Sequence, residues 1–452
     1  MVSLVNLFPR VNTANASRTI ALAFVLCAVA ARGWAAAEAS APESGPLLHS
    51  RAAVTRVSIA EPTIVRENGA VPPYYSVQAQ LLRLRDGSLL LAGASGRILR
   101  STDGGETWVR QEDRLKDYIL FQRRDGSFYV VKSRAVPTEK RGIFRIGRIQ
   151  VANLDDLAAA GEADWRDISV QVERFKSTVG DDYKTVVTGP SVEPVLEMAD
   201  GTMLALSYGN FVGDDIPIRG FNPKIGEAPM YRTYLLSSMD GGQSWSYLST
   251  IAYDGVTGQE SFCEASLVHF GNDELLAVMR TGRYSPMYQA RSLDGGKTWG
   301  RPESLETLGL QPKMTLLQNG VLICSFGWRP MKFDHWRDTD GGYYPAGLTD
   351  YRKRYENVVG IADPSAAAGD YVMFSPDKGH TWSAPRKIAE PLTQGYTQVA
   401  AVAPDACLVL SYRFALPGKS VGAIARIWEQ ESKDFLEEMR NCYEARRVTV
   451  IR

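Results

Sequence analysis

Three stretches of this chain carry reactive side chains at matched positions. FCEASLVHFGNDELLAVMR (262–280) opens near Glu264 and closes on Arg280; LQPKMTLLQNGVLICSFGWRP (310–330) has Gln311 near its start and Arg329 near its end; GYTQVAAVAPDACLVLSYR (395–413) opens on Tyr396 and closes on Arg413. A positioned glutamate can take or give a proton. Arginines hold carboxylates through two-pronged hydrogen bonds. A phenol of ordinary pKa, about 10, needs a neighbouring base before it can react, and Glu264 could supply that base. Whether these groups meet depends on the elements that carry them.

Each stretch is a hairpin signal: two strand-like runs around a Gly-containing or similar tight turn. Three more occur, LLRLRDGSLLLAG (81–93), YILFQRRDGSFYVVKS (118–133) and PVLEMADGTMLALSYG (194–209), so there are six. In four of the six, a further strand-like segment leads into one short phrase: STDGGETW at 101, SMDGGQSW at 238, SLDGGKTW at 292 and SPDKGHTW at 375. The second unit replaces the phrase with NLDDLAAAGEADW (153–165). The unit reads strand, tight turn, strand, variable loop, strand, phrase, strand. Six such units predict an all-β six-bladed β-propeller of four-stranded antiparallel blades. The sixth blade is expected over about 396–428, its outer strand drawn from RVTVIR (447–452) or from TRVSIA (55–60), with a short surface helix over 431–441.

In the phrase, Asp and Ser can accept hydrogen bonds from nearby backbone N–H groups, Gly supplies positive φ, and Trp can bury its face between blades. That predicts a structural turn rather than a site. The phrase and the first tight turn share one rim of the disc. The other rim carries the long loops, at 177–191, 210–230 and 328–357, where binding is expected. Residues that start first strands and end second strands face it: Glu264, Arg280, Arg329, Tyr396 and Arg413, with Gln78 and Gln311 at the same level. Trp336, Tyr343 and Tyr344 in the long loop suit stacking against sugar rings.

The four phrases resemble Asp-box repeats, and over about residues 70–428 the chain is similar to the sialidase (neuraminidase) superfamily. The resemblance implies a retaining glycosidase with Tyr396 as nucleophile, Glu264 as its base, and arginines such as Arg280, Arg329 and Arg413 on the substrate carboxylate. A neutral phenol suits a substrate whose own carboxylate would repel a carboxylate nucleophile. The sequence departs from the pattern twice. Where the family has its first arginine, this chain reads YYSVQAQ (74–80), and the loop that carries the family's acid/base aspartate is only GASG (93–96). An acid must come from elsewhere: Asp181 or Asp182, Asp214 or Asp215, or Asp334, with Asp182 preferred.

The 452-residue chain is 44% hydrophobic and 23% charged, within the range of globular proteins. Arg10 and Arg18 precede the apolar run IALAFVLCAVAA (20–31) and a small-residue stretch, the order of a secretory signal. We expect cleavage near Ala37, a linker over 38–65, a propeller over 66–452, and a secreted or periplasmic location. Beyond residue 37 the chain carries 48 basic and 51 acidic residues, which gives no electrostatic footprint for nucleic acid, and no further segment suggests a stable membrane anchor. Cys263, Cys324, Cys407 and Cys442 read as scattered buried thiols, with Cys407 and Cys442 the nearest pair. No cofactor or metal spacing is present. Expected substrates are glycans. The alternatives are a hydrolase or lyase for another acidic sugar, such as a uronate, and a non-catalytic carbohydrate-binding propeller. The oligomeric state is not legible.

Overall fold

A computed structural model describes residues 56–66, 79–93, 97–111, 115, 118–179, 186–187, 189–217, 229–258, 260–282, 285–328, 369–389, 393–415 and 440–451. All belong to the compact unit Leu48–Arg452.

The Asp-Gly turns form for a local reason. Asp86 Oδ1 accepts bonds from the Ser88 N–H (2.9 Å) and hydroxyl (2.6 Å), and Asp125 treats Ser127 in the same way at the same distances. These bonds close a tight loop that sets the register of the flanking strands. Six first strands result: Gln80–Arg83, Tyr118–Gln122, Glu193–Glu197, Cys263–His269, Leu310–Leu316 and Thr393–Ala403. Each pairs antiparallel with the strand after its turn, and a third and fourth strand follow outward. Five sheets hold these six four-stranded runs, because the second and third runs join where Arg166–Gln171 lies parallel to Ser244–Ala252. Each first strand lies against the first strand of the next run; between the third and fourth, the second strand Met203–Phe211 makes that contact. Thr393–Ala403 returns to Gln80–Arg83. The arrangement is consistent with a six-bladed β-propeller, and we number the runs as blades 1 to 6.

Closure uses both terminal candidates. Arg440–Ile451 is the third strand of blade 6, pairing with Ala406–Ala415, and Arg56–Ile59 is its fourth, from Arg56↔Ile451 to Ile59↔Val448. The sheet therefore begins before residue 66, and blade 6 spans more than 396–428. Of the segment expected as a helix over 431–441, Arg440 and Asn441 are strand and the rest lies outside the described residues. In blade 2 the substitute segment forms the helix Leu154–Ala159, with Asn153 capping the Asp156 N–H at 2.9 Å.

The repeated phrase ties blades together. Asp240 Oδ1 accepts from the Ser238 hydroxyl (2.7 Å) and the N–H groups of Gln243 (2.9 Å) and Ser244 (3.0 Å), while Oδ2 accepts from the Ser244 hydroxyl (2.6 Å). Asp103, Asp294 and Asp377 repeat this pattern in its essentials. Burial works to raise the Asp240 carboxyl, but the bonds from Ser244 and Ser238 outweigh it and hold it at about 2. A group that stays ionised in this way is a poor proton donor at neutral pH. Trp245 is buried and donates to the Tyr129 hydroxyl of blade 2 at 2.8 Å; Trp382 likewise donates to Gln289 of blade 4 at 3.0 Å. The phrase sits beside the first turn, as expected: in blade 4 the Gly295 N–H donates to the Asp273 carbonyl at 2.9 Å.

Gly242 has φ +85°, and a Cβ there would run into the fully buried ring of Tyr129. Gly242→Ala is therefore expected to destabilise the protein by at least about 2 kcal/mol through the left-handed backbone and the clash together. Denaturant unfolding measures it, and an unchanged midpoint contradicts this view of blade docking.

Candidate functional site

The opposite rim is shaped by a recurring irregularity at the start of three first strands. In blade 4 the pairing runs from Cys263↔Arg280 to Ser266↔Val278, so Glu264 sits in a bulge. Blade 5 repeats this between Leu310↔Gly327 and Lys313↔Ser325, around Gln311, and blade 6 between Thr393↔Arg413 and Thr397↔Ser411, around Gly395 and Tyr396. Glu264 has φ +43°, Gln311 +44° and Gly395 +76°. Glycine adopts this conformation freely, whereas Glu and Gln pay roughly 1–2 kcal/mol each. Bulges re-aim side chains next to functional sites, and strain held at adjacent blades points to function.

The bulge turns Glu264 towards Arg280 and Tyr396. Arg280 Nη1 donates to Glu264 Oε1 at 2.8 Å, and the Tyr396 hydroxyl donates to the same oxygen at 3.3 Å. Arg280 Nη2 donates to Glu260 Oε1 at 3.0 Å, and the Cys263 thiol donates to Glu260 Oε2 at 3.5 Å. Arg280 and Glu260 are almost fully buried, with side chains 4% and 5% exposed, while Glu264 keeps 17%. Glu264 Oε2 is buried with no hydrogen-bond partner among the described residues. The segment holding both glutamates is bolted to its neighbours: Glu260 N–H donates to the Thr281 carbonyl (3.0 Å), Tyr231 N–H to that of Glu260 (2.8 Å), and the Thr233 hydroxyl to that of Phe262 (2.8 Å). Ser261, between them, also has positive φ, +59°.

A second carboxylate shares this environment, and the sequence reading passed over it. Glu193 opens the first strand of blade 3, Glu193–Glu197, as Glu264 does near the start of its own. Burial pushes the Glu193 carboxyl up; Lys313 and Arg134 draw it down, and Glu264 adds to the rise. Tyr208, near the end of the second strand of the same blade, has its hydroxyl pushed well up by burial, with Glu264 the next cause. Its ring meets that of Tyr231 edge-on at 5.3 Å. The rule that selects Glu264, a polar residue opening a first strand, selects Glu193 when applied to blade 3.

The other expected residues are placed as follows. Gln311 occupies its bulge, with Oε1 buried and without a hydrogen-bond partner among the described residues. Arg413 pairs through its backbone with Thr393 and Cys442, and its side chain is not described. Gln78, Asp182, Arg329 and Trp336 lie outside the described residues, as do Asp181, Asp334, Tyr343 and Tyr344. Asp214, another candidate acid, is buried and locked to Arg232 by two bonds, at 2.9 and 2.6 Å. Asp215 is exposed and pairs with Lys176 at 2.9 Å. Cys263, Cys324 and Cys407 are free buried thiols. Among the described residues no group of three His, Cys, Asp or Glu side chains is arranged to hold a metal ion, and no helix is long and apolar enough to cross a membrane.

Chemically, the rim offers a carboxylate (Glu264) held by one guanidinium and facing a phenol, with a second carboxylate of raised pKa nearby. Such a set can move a proton in either direction and activate a hydroxyl.

No family model matches the sequence, and no curated protein does. Solved structures match at low identity. A protein of unknown function from Dyadobacter fermentans aligns with a TM-score of 0.52 at 14% identity, covering 87% of this chain and 99% of that one. A Penicillium chrysogenum alpha-L-arabinanase complexed with arabinobiose aligns at 0.47 and 12% identity, covering 86% and 98%. The Hadza microbial sialidase Hz136 aligns at 0.46 and 14% identity, covering 77% of this chain and 65% of that one. The likeness is one of fold.

Proposed function

We propose that this protein is a glycoside hydrolase working on the rim that carries Glu264, Arg280 and Tyr396. The observation that carries the reading is the Tyr396 hydroxyl bonded at 3.3 Å to a carboxylate that Arg280 holds from the other side. In the sialidase-type form of the reading, Glu264 takes the phenolic proton as Tyr396 attacks the anomeric carbon of a terminal acidic sugar. The glycosidic bond breaks as the glycosyl-tyrosine intermediate forms, the leaving oxygen taking a proton from an acid for which Asp182 is the residue assigned, and water then hydrolyses the intermediate with retention. The substrate carboxylate needs cations, and Arg329 and Arg413 are the arginines assigned to it. Export past a leader ending near Ala37 belongs to the same proposal.

A second form is favoured by two specific observations. Both terminal nitrogens of Arg280 are taken up by Glu264 and Glu260, which leaves this arginine poorly placed to receive a substrate carboxylate. Burial also pushes the Glu193 carboxyl up, the direction a proton donor needs, and most glycosidases work with two carboxyl groups held in different protonation states. In this form Glu193 protonates the leaving oxygen, Glu264 acts as the second carboxylate, and the sugar carries no acid group.

A panel of fluorogenic glycosides, including sialosides, uronides and neutral pentosides and hexosides, separates the two. The sialidase-type form expects turnover of sialosides and a loss of a hundredfold or more in Tyr396→Phe. The two-carboxylate form expects turnover of a neutral glycoside, a similar loss in Glu193→Gln, and a smaller one in Tyr396→Phe. No turnover of any member of the panel contradicts the hydrolase reading and leaves a binding propeller.

A further inference from the structure

Among the described residues, two carboxylates of a buried ion cluster share one cation. Arg280 stands between Glu264 and Glu260, at 2.8 and 3.0 Å. Of these two carboxylates, Glu264 accepts from the Tyr396 hydroxyl. Glu260 comes from the preceding loop, is 5% exposed, and meets the far arm of Arg280. Its second oxygen is bonded by the Cys263 thiol, and its backbone is fixed at both N–H and carbonyl. A buried carboxylate fixed this firmly costs desolvation, and core packing alone gives no reason to keep it ionic.

We infer that Glu260 is a positioning residue: by holding the far arm of the Arg280 guanidinium, it fixes the place of the Glu264 carboxylate against Tyr396 and takes a share of the positive charge that faces Glu264. The inference rests on the proposed role of Glu264. One guanidinium shared between two anions neutralises each of them less than it would one alone. With Glu260 present, part of the Arg280 charge is spent away from the reacting side. Among the described residues, the groups around Glu264 are Arg280 from the second strand of blade 4, Glu260 and Cys263 from the segment before it, Tyr396 from blade 6, and Glu193 and Tyr208 from blade 3. Burial pushes the thiol of Cys263 and the hydroxyl of Tyr208 well up, so both are neutral across the working range. Among the described residues, Glu193 and Glu260 are then the carboxylates able to compete for positive charge, and Glu260 shares the guanidinium directly.

The test uses the full chain as wild type, Glu260→Gln and Glu260→Asp, with Glu193→Gln as a control for the other carboxylate. The titration of Glu264 is followed by carbon NMR of glutamate-labelled protein, its signal assigned by loss in Glu264→Gln. The acid limb of kcat/KM is followed on whichever glycoside the wild type cleaves. In Glu260→Gln, Arg280 has one anion fewer to serve, so the Glu264 midpoint and the acid limb both move down by about one pH unit. Glu260→Asp, whose shorter side chain draws the charge back from Arg280, moves both in the same direction by less. A midpoint that stays put in either folded variant overturns the inference, and if Glu260→Gln fails to fold, Glu260→Asp decides. A shifted midpoint with no turnover of any glycoside by the wild type sinks the hydrolase reading and leaves the coupling standing. Turnover with an unmoved midpoint does the reverse.

Discussion

Glu264→Gln lowers kcat a thousandfold or more on the best substrate, while the circular dichroism spectrum stays that of the wild type. The amide keeps an oxygen for Arg280 Nη1, which now donates to Glu264 Oε1 at 2.8 Å, but it cannot accept a proton. General acid–base groups contribute about a hundredfold to ten-thousandfold, and both proposed forms use this carboxylate, so the loss falls in the upper part of that range. In one form Glu264 deprotonates Tyr396; in the other it acts on the sugar or on water directly. Kinetics on purified protein measure the effect. A variant that keeps a tenth of its activity removes Glu264 from the chemistry in both forms, and the rim would then have to be reread around Glu193.

The second large effect concerns stability. Arg280→Met is expected to cost about 3–5 kcal/mol. Methionine fills the volume of the arginine stem but leaves Glu260 and Glu264 without the cation that bridges them, one almost fully buried and the other largely so. A missing partner is worse than a missing pair. Removing all three charges, as Arg280→Met with Glu260→Gln and Glu264→Gln, should recover much of the loss, because no uncompensated charge is then left buried. The guanidinium chloride midpoints of the single and triple variants check this. A single variant as stable as the wild type means that the cluster is solvated rather than buried.

Local features were legible in the sequence because their causes are local. The Asp-Gly turns close through bonds between neighbours such as Asp86 and Ser88. The phrase closes through bonds within seven residues, as in Ser238 to Ser244. Those two signals fix the strand order within a blade and the rim on which the phrase lies. The pairing of Glu264 with Arg280 was legible because both lie in one hairpin, and Tyr396 because it holds the matching place in another. Long-range choices were less open to reading. Two segments could each complete blade 6, and nothing local shows that the structure uses both, Arg56–Ile59 pairing with the end of Arg440–Ile451 across nearly the whole chain.

Glu260 was hidden for a related reason. It lies in a connecting segment, outside any strand pattern, and its meaning comes from a guanidinium that also serves Glu264. The bulges were hidden too, since Glu264 and Gln311 are not residues that announce a left-handed backbone; Gly395 is. Glu193 was within reach of the same positional rule and needed only its application to blade 3. Asp182 and Trp336 were drawn from the long loops, where neither strand periodicity nor turn chemistry constrains a reading; they and Arg329, taken from the end of a second strand, lie outside the described residues.

The central claim is that substrate meets this protein at Glu264 and Tyr396, on the rim opposite the repeated phrase. A crystal structure of the protein soaked with the sugar that it releases tests this most directly. The account predicts the sugar within hydrogen-bonding distance of Glu264, with Tyr396 on the anomeric side and the four phrases untouched. A sugar bound instead among Asp103, Asp240, Asp294 or Asp377 would contradict it.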